Sequence, residues 1–366
     1  MKKVLFIIHR LTPGGAEEMV VQQVNRLDHN QFDVFLLTLA PEIDNQNNLL
    51  SQLQIPSEKI KTIVFSRWYS VHAWKQLISW LRQEQFDVVY SHLWLANLIG
   101  RIAAVITGVP RRIVTEHNVY ATRSWLERRI NTFLGRFFTS RVVAVSHSVK
   151  EYLVKKENIP SEKIQVIYNG IDLEKFHPKN TSTSLRRQLG FADDDFLVLS
   201  LGKVSQQKGY DRLVATAQIL AEKSEGQNIH FVIAGRDEGK NWSSLYSEAP
   251  KNVHFLGYRT DTPELLATSN LFFMPSVWEG FGLALVEAMA MGKPVVVSDL
   301  PTFHEIMAES HCGFFASISE QFAESILKLS QNTIEYKKCA EAGQARAQDF
   351  SLSTNVRNLE KLLNLL

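Results

Sequence analysis

Two glutamates eight residues apart bracket a glycine-rich turn in Pro275-Ser276-Val277-Trp278-Glu279-Gly280-Phe281-Gly282-Leu283-Ala284-Leu285-Val286-Glu287-Ala288-Met289-Ala290. The string follows the apolar run Leu271 to Met274 and continues into a helical pattern, so it reads as strand, loop and helix. Glycines in such a loop let backbone N–H groups approach a ligand, and the start of a helix favours an anion. Glu287 lies about two turns along, among Leu283, Leu285, Val286, Ala288 and Met289, which fits poorly with a helix-surface residue. A carboxylate in so apolar a run is costly to bury unless it is hydrogen-bonded, and sugar or ribose hydroxyls are natural donors. A second group is Leu201-Gly202-Lys203-Val204 with Gln207-Lys208-Gly209, directly after the apolar run Phe196 to Leu201. Lys203 and Lys208 beside a strand-to-helix turn can neutralise a diphosphate leaving group without a metal.

Loops of this kind must be held by a frame of strands. In the first half, Val4 to Ile8, Val34 to Leu39, Ile63 to Phe65, Val88 to Tyr90, Ile113 to Thr115, Val142 to Val145 and Ile164 to Tyr168 read as strands. Such runs are continuous rather than alternating, as in parallel strands buried on both faces. Amphipathic segments between them, Glu17 to Arg26 and Ala73 to Gln83 among them, have the spacing of crossover helices. The same grammar restarts after Asn169-Gly170 and the polar stretch Pro178 to Asp195, with Phe196 to Leu201, Ile229 to Ala234, Val253 to Leu256, Leu271 to Met274 and Pro294 to Val297. Two doubly wound α/β domains are expected, residues 1–178 and 179–350. A C-terminal helix at 351–366 would follow, with docking back onto the first domain as one option.

A chain of 366 residues exceeds a single core, which agrees with two domains and directs attention to a cleft between them. Its 45% hydrophobic and 21% charged content exclude long disorder or a collagen-like repeat. The apolar run after Met1-Lys2-Lys3 ends at His9, too soon for a signal peptide, and no stretch approaches the roughly 18 apolar residues of a membrane span. Cys312 and Cys339 have no metal-ligand spacing, and free thiols in the cytoplasm are the simplest expectation. Asp193-Asp194-Asp195, though it resembles an acidic metal motif, sits in a turn before a strand and reads as a solvated linker. No metal, no cofactor and no nucleic-acid partner is expected.

Residues 1–178 carry 22 Lys+Arg against 16 Asp+Glu, and 101–150 alone hold nine basic and two acidic side chains. That local field suits phosphate-bearing partners or an anionic membrane surface, with a merely solvated face as the alternative. Within it, Trp125, Leu126, Ile130, Phe133, Leu134, Phe137 and Phe138 alternate with Arg123, Arg128, Arg129 and Arg136. At helical spacing the segment 123–141 separates aromatic from basic side chains. It could lie in a membrane interface, or pack its aromatics inward and leave arginines outside.

Across essentially its whole length the chain resembles the retaining glycosyltransferases of family 4, also called glycosyl transferases group 1. The resemblance is carried by Pro-Ser-x-x-Glu-Gly-Phe-Gly-Leu and by Glu-Ala-Met-Ala-x-Gly-x-Pro-Val-Val. It implies the GT-B architecture, two Rossmann-like doubly wound domains facing across a deep cleft. It also implies transfer of a sugar from a nucleotide-diphosphate donor, UDP- or GDP-linked, to a hydroxyl of a glycan or lipid-linked acceptor. Glu279 would then lie by the donor sugar hydroxyls and Glu287 on the ribose, with the amides around Phe281, Gly282 and Leu283 near sugar and phosphate. Lys208 matches the family directly, whereas Lys203 stands where an arginine is common, keeping the charge but losing the bidentate fork. His117, in Val114-Thr115-Glu116-His117-Asn118 at a strand end, would orient the donor sugar. Gly15, in Pro13-Gly14-Gly15-Ala16-Glu17, belongs to an anion-binding turn near donor phosphate or acceptor, and Arg259, in Gly257-Tyr258-Arg259, to the nucleobase end. Two rivals share the architecture: an epimerase or hydrolase of nucleotide sugars, and a non-catalytic subunit of a glycan-assembly complex.

Overall fold

The computed structural model describes residues 1–41, 49–119, 123–180, 185–237, 247 and 249–365. Of the expected linker, 181–184 lie outside the described residues, as does Leu366. The chain divides into two compact units, Met1–Gly170 with Leu352–Leu366, and Ile171–Ser351.

The first unit is a seven-stranded parallel sheet in the order β3-β2-β1-β4-β5-β6-β7. Its strands are β1 (Lys2–Ile8), β2 (Phe32–Thr38), β3 (Ile60–Thr62), β4 (Val88–His92), β5 (Arg111–Glu116), β6 (Arg141–Ala144) and β7 (Ile164–Val166). Helices Gly15–Arg26, Val71–Glu84, Trp94–Thr107, Trp125–Phe137 and His147–Glu157 make the crossovers. Central strands are enclosed on both faces, with Val4 to Ile8 wholly buried, and each such side chain contributes roughly 1.5–3 kcal/mol. Helix Val71–Glu84 shows the matching pattern: Ala73, Leu77, Trp80 and Leu81 face inward.

The second unit repeats the plan with six parallel strands in the order β10-β9-β8-β11-β12-β13. These are β8 (Phe196–Leu201), β9 (Ile229–Ala234), β10 (Val253–Phe255), β11 (Leu271–Met274), β12 (Val295–Ser298) and β13 (Gly313–Ala316). Helices Tyr210–Ala221, Thr262–Thr268, Leu283–Ala290, Pro301–Met307, Ser319–Gln331 and Thr333–Ala347 accompany them.

Edge strands depart from the sequence reading. β3 is Ile60–Thr62 rather than Ile63–Phe65, because an edge strand keeps Lys61 and Thr62 in solvent and hydrophobicity does not mark it. Ile63 and Phe65 still bond Thr38 and Leu39 beyond the ladder. β13 was absent from the reading, since it opens on glycine. A Cβ at Gly313 would lie 1.8 Å from the Val295 carbonyl, so the close approach of the two strands requires that residue.

Residues 171–178, which polar composition places in the first domain, belong to the second unit. Ile171 pairs with Ser351 and donates to the Phe350 carbonyl at 2.9 Å, so the first and last residues of this unit are tied together. The helix Leu352–Leu365 packs in the first unit against Gly15–Arg26. There Gln23 Nε2 donates to Asn355 Oδ1 (2.9 Å), the Asp28 amide to Glu360 Oε1 (2.9 Å) and Lys2 Nζ to the Leu363 carbonyl (2.8 Å).

Candidate active site

In an open parallel sheet, ligands bind beyond the carboxyl ends of the strands where the strand order reverses. In the second unit that point lies between β8 and β11, which are neighbours in the sheet. The loop after β8 carries Gly202 to Gly209, and the loop after β11 carries Pro275 to Gly282. Both candidate motifs therefore meet at one switch point.

Backbone contact brings the loops together. The Val277 amide donates to the Gln207 carbonyl at 2.8 Å. Gly209 has φ +64°, and a Cβ there would lie 2.2 Å from the Pro275 carbonyl oxygen, so no other residue fits. Lys208 Nζ then stands 2.8 Å from Glu279 Oε1, and Ser276 Oγ donates to the same oxygen at 3.0 Å. Thr302 Oγ1 holds the Glu279 carbonyl at 2.9 Å. The lysine and glutamate side chains are only 19% and 7% exposed, so their attraction is little screened by water. Among the described residues, Glu279 Oε2 receives no protein donor and Lys208 uses one of its three. The pair presents an acceptor suited to a hydroxyl beside donors suited to an anion.

The other expected residues are placed as follows. Gly282 (φ +89°) caps the helix Leu283–Ala290, and the Phe281 ring is buried against Phe350. Leu283, Ala284 and Glu287 form the partly exposed stripe of that otherwise buried helix. Lys203 is exposed on the β8 loop. The Arg259 guanidinium is engaged by Asp261 through two bonds, one at 2.8 Å. Asp193 and Asp194 form a turn, and Asp195 accepts from the Ala192 amide at 2.8 Å. Among the described residues, no group of three or more His, Cys, Asp or Glu is arranged to hold a metal ion.

In the first unit the switch point lies between β1 and β4. Gly14 caps the helix after β1 and Gly15 is its first residue, exposed. His117 follows β5, with Nε2 3.1 Å from His92 Nδ1 at the end of neighbouring β4. His92, which the sequence reading missed, is fully buried, its ring stacked on Phe6 and close to Tyr90. Among the described residues, His117 Nδ1 and His92 Nε2 are enclosed without a hydrogen-bond partner.

Burial pushes His117 down to about 4 from its ordinary 6.5, and His92 well below that value. Both stay neutral in the fold while the unfolded chain protonates first. Stability is therefore level above about pH 7 and falls as pH drops from 6.5 towards 4, by up to about 1.4 kcal/mol per unit for each buried histidine. Melting temperatures from pH 7.5 to 4.5 should decline less steeply in His92→Phe; parallel curves would refute this origin.

Sequence reasoning also missed a buried ion cluster behind His117. Arg123 Nη1 donates to Glu157 Oε1 (2.6 Å) and Nη2 to Glu116 Oε2 (3.1 Å), while Asn131 donates from Nδ2 to both glutamates and accepts from Arg101 at Oδ1. All five side chains are buried. Burial pushes the Glu157 carboxyl up and Arg123 pulls it back, while burial lowers Arg101 to about 10. The segment 123–141 had hinted at Arg123 only as part of a basic face; its type and spacing gave no sign of burial.

Fold and site define an α/β protein of two doubly wound parallel sheets with a charged loop pair at a switch point. The Glycosyltransferase Family 4 family matches residues 13–175 and the Glycosyl transferases group 1 family residues 181–346, so the chain belongs to the family 4 glycosyltransferases, built on the GT-B architecture. It is 26% identical to the Escherichia coli UDP-Gal:alpha-D-GlcNAc-diphosphoundecaprenol alpha-1,3-galactosyltransferase, over 88% of this chain and 86% of that one. It is 24% identical to the Staphylococcus aureus capsular polysaccharide biosynthesis glycosyltransferase CapM, over 98% and 96%. Anabaena Alr3699/HepE, solved in complex with UDP-glucose, superposes with a TM-score of 0.88 at 24% identity, covering 100% of both chains.

Proposed function

We propose that this glycosyltransferase moves a sugar from a nucleotide-diphosphate donor to a hydroxyl of a glycan or lipid-linked acceptor, with retention at the anomeric carbon and without a metal. The observation that carries the reading is the Lys208–Glu279 pair on the two loops of the switch point. Lys208, with Lys203 on the same loop, offsets the charge that develops on the departing diphosphate. Glu279, held by Ser276 and Thr302, accepts from donor-sugar hydroxyls through Oε2. Glu287 takes the ribose, the amides at Gly282 and Leu283 approach phosphate, and His117 orients the sugar. Gly15 lies in the anion-binding turn for donor phosphate or acceptor, and the Arg259 turn lies by the base.

UDP is favoured over GDP: one relative's name specifies UDP-Gal, and HepE was solved with UDP-glucose. The diphosphoundecaprenol in the same relative's name favours a lipid-linked acceptor, hence work in the cytoplasm at the inner face of a membrane. Among the described residues, no helix is long and apolar enough to cross a membrane, so contact there is peripheral in this reading.

Thermal shift against UDP, GDP and ADP, with and without EDTA, tests the donor site. Binding at about 100 times Kd stabilises the fold by about 2.7 kcal/mol. A rise with UDP alone that survives EDTA and is lost in Lys208→Ala is expected; no rise with any nucleotide defeats the proposal. Product analysis by NMR then reports the anomeric configuration.

A further inference from the structure

Helix Trp125–Phe137 turns its aromatic side outward. Trp125, Leu126, Phe133 and Phe137 are 68%, 60%, 54% and 65% exposed, and with Arg129 and Arg136, also exposed, they recur at three- and four-residue spacing along one face. The inward face consists of Asn131, Leu134 and Gly135. Asn131 is fastened between Glu116 and Glu157, and a Cβ on Gly135 would come within 3.0 Å of Ile159, so the helix sits tightly by its polar and small side. Its ends are secured as well. Ser124 and Glu127 form a capping box, and Lys163 Nζ bonds the carbonyls of Arg136 and Thr139. The helix thus buries Leu134 but leaves Trp125, Leu126, Phe133 and Phe137 outside, and a soluble surface rarely leaves such a stripe uncovered.

We propose that this face docks the first unit on an anionic lipid bilayer. The apolar side chains would enter the boundary between headgroups and acyl chains, and Arg129 and Arg136 would meet lipid phosphates. Charge argues for that occupant: residues 101–150 hold nine basic and two acidic side chains, and both acids are engaged, Glu116 in the buried cluster and Glu127 in the cap. Arg129 lies 4.6 Å over the Trp125 ring, so cation and aromatic form one surface. A symmetric pair of copies would bring the same arginines against each other, which disfavours a second chain as the cover. The proposal rests on the lipid-linked acceptor for its purpose, but docking itself needs neither donor nor acceptor.

Flotation of the full chain with vesicles of phosphatidylcholine alone, or mixed with phosphatidylglycerol, tests it. Binding to the mixed vesicles should exceed binding to phosphatidylcholine by more than about tenfold and weaken with added salt. Phe133→Ser with Phe137→Ser, and separately Arg129→Glu with Arg136→Glu, should each lose at least about tenfold, with melting temperature and nucleotide-induced shift unchanged. Failure of the wild type to float, or equal flotation of wild type and both variants, overturns the proposal. A dimer in sedimentation without vesicles that dissociates in the phenylalanine variant overturns it too, by assigning the face to a second copy. Normal flotation without any nucleotide-induced shift supports the docking face while defeating the donor site.

Discussion

In Lys208→Ala, sugar transfer is expected to fall by about 10²–10³-fold, with nucleoside-diphosphate affinity falling alongside it, because a preorganised charge on the leaving group is lost. Glu279→Ala is expected to lose transfer comparably but to split differently. Removing the carboxylate frees Lys208 Nζ from its 2.8 Å partner, so affinity for the free nucleoside diphosphate holds or rises while kcat collapses. Steady-state kinetics with a nucleotide sugar, and calorimetry with the nucleotide alone, separate the two effects. Ser276→Ala should weaken kcat more mildly, since Ser276 supplies one of the two bonds to Glu279 Oε1. Equal losses of nucleotide affinity in Lys208→Ala and Glu279→Ala would mean that the pair acts only to hold the loops. A fully active variant of either residue would remove both from the mechanism.

The largest effect on stability is expected at Arg123. Its guanidinium, 3% exposed, bridges two fully buried carboxylates, and deleting one partner of such a group costs about 3–5 kcal/mol. Without Arg123, burial and repulsion from Glu116 raise the folded-state pKa of the Glu157 carboxyl further above its unfolded value. Stability of Arg123→Ala is therefore retained at low pH and lost as pH rises above the ordinary carboxylate range. Its deficit against the parent protein should therefore be larger at pH 8 than at pH 5. Urea denaturation at both values measures it. A deficit independent of pH would show that lost packing, including the cation–π contact with Trp94, dominates instead. Since Glu116 precedes His117 at the end of β5, activity should decline before global unfolding.

Much of the fold was legible because parallel strands enclosed on both faces need apolar residues at every position, a signal local to each run. β1, β8 and β11 fall where their apolar runs do, and the glycines at 202, 209 and 282 mark loops whose backbone adopts positive φ. The glutamates, lysines and His117 were likewise readable as types at spacings. Where burial is one-sided the signal fades, as at β3 and β13, and the unit boundary lies at Gly170 because Ile171 finds its partner at Ser351.

Contacts between distant residues were decided only in three dimensions. Lys208 and Glu279 are 71 residues apart and meet because β8 and β11 are neighbours in the sheet. His92 reaches His117 across 25 residues because β4 lies beside β5. The segment around Trp125 shows the division most plainly. Helical periodicity marks two sides of the segment but is indifferent to which side turns inward, and Arg129 and Arg136 share the outward side with the aromatics. The buried carboxylates of Glu116 and Glu157 decide it: they require Asn131 as a donor, and the aromatic face is left outside.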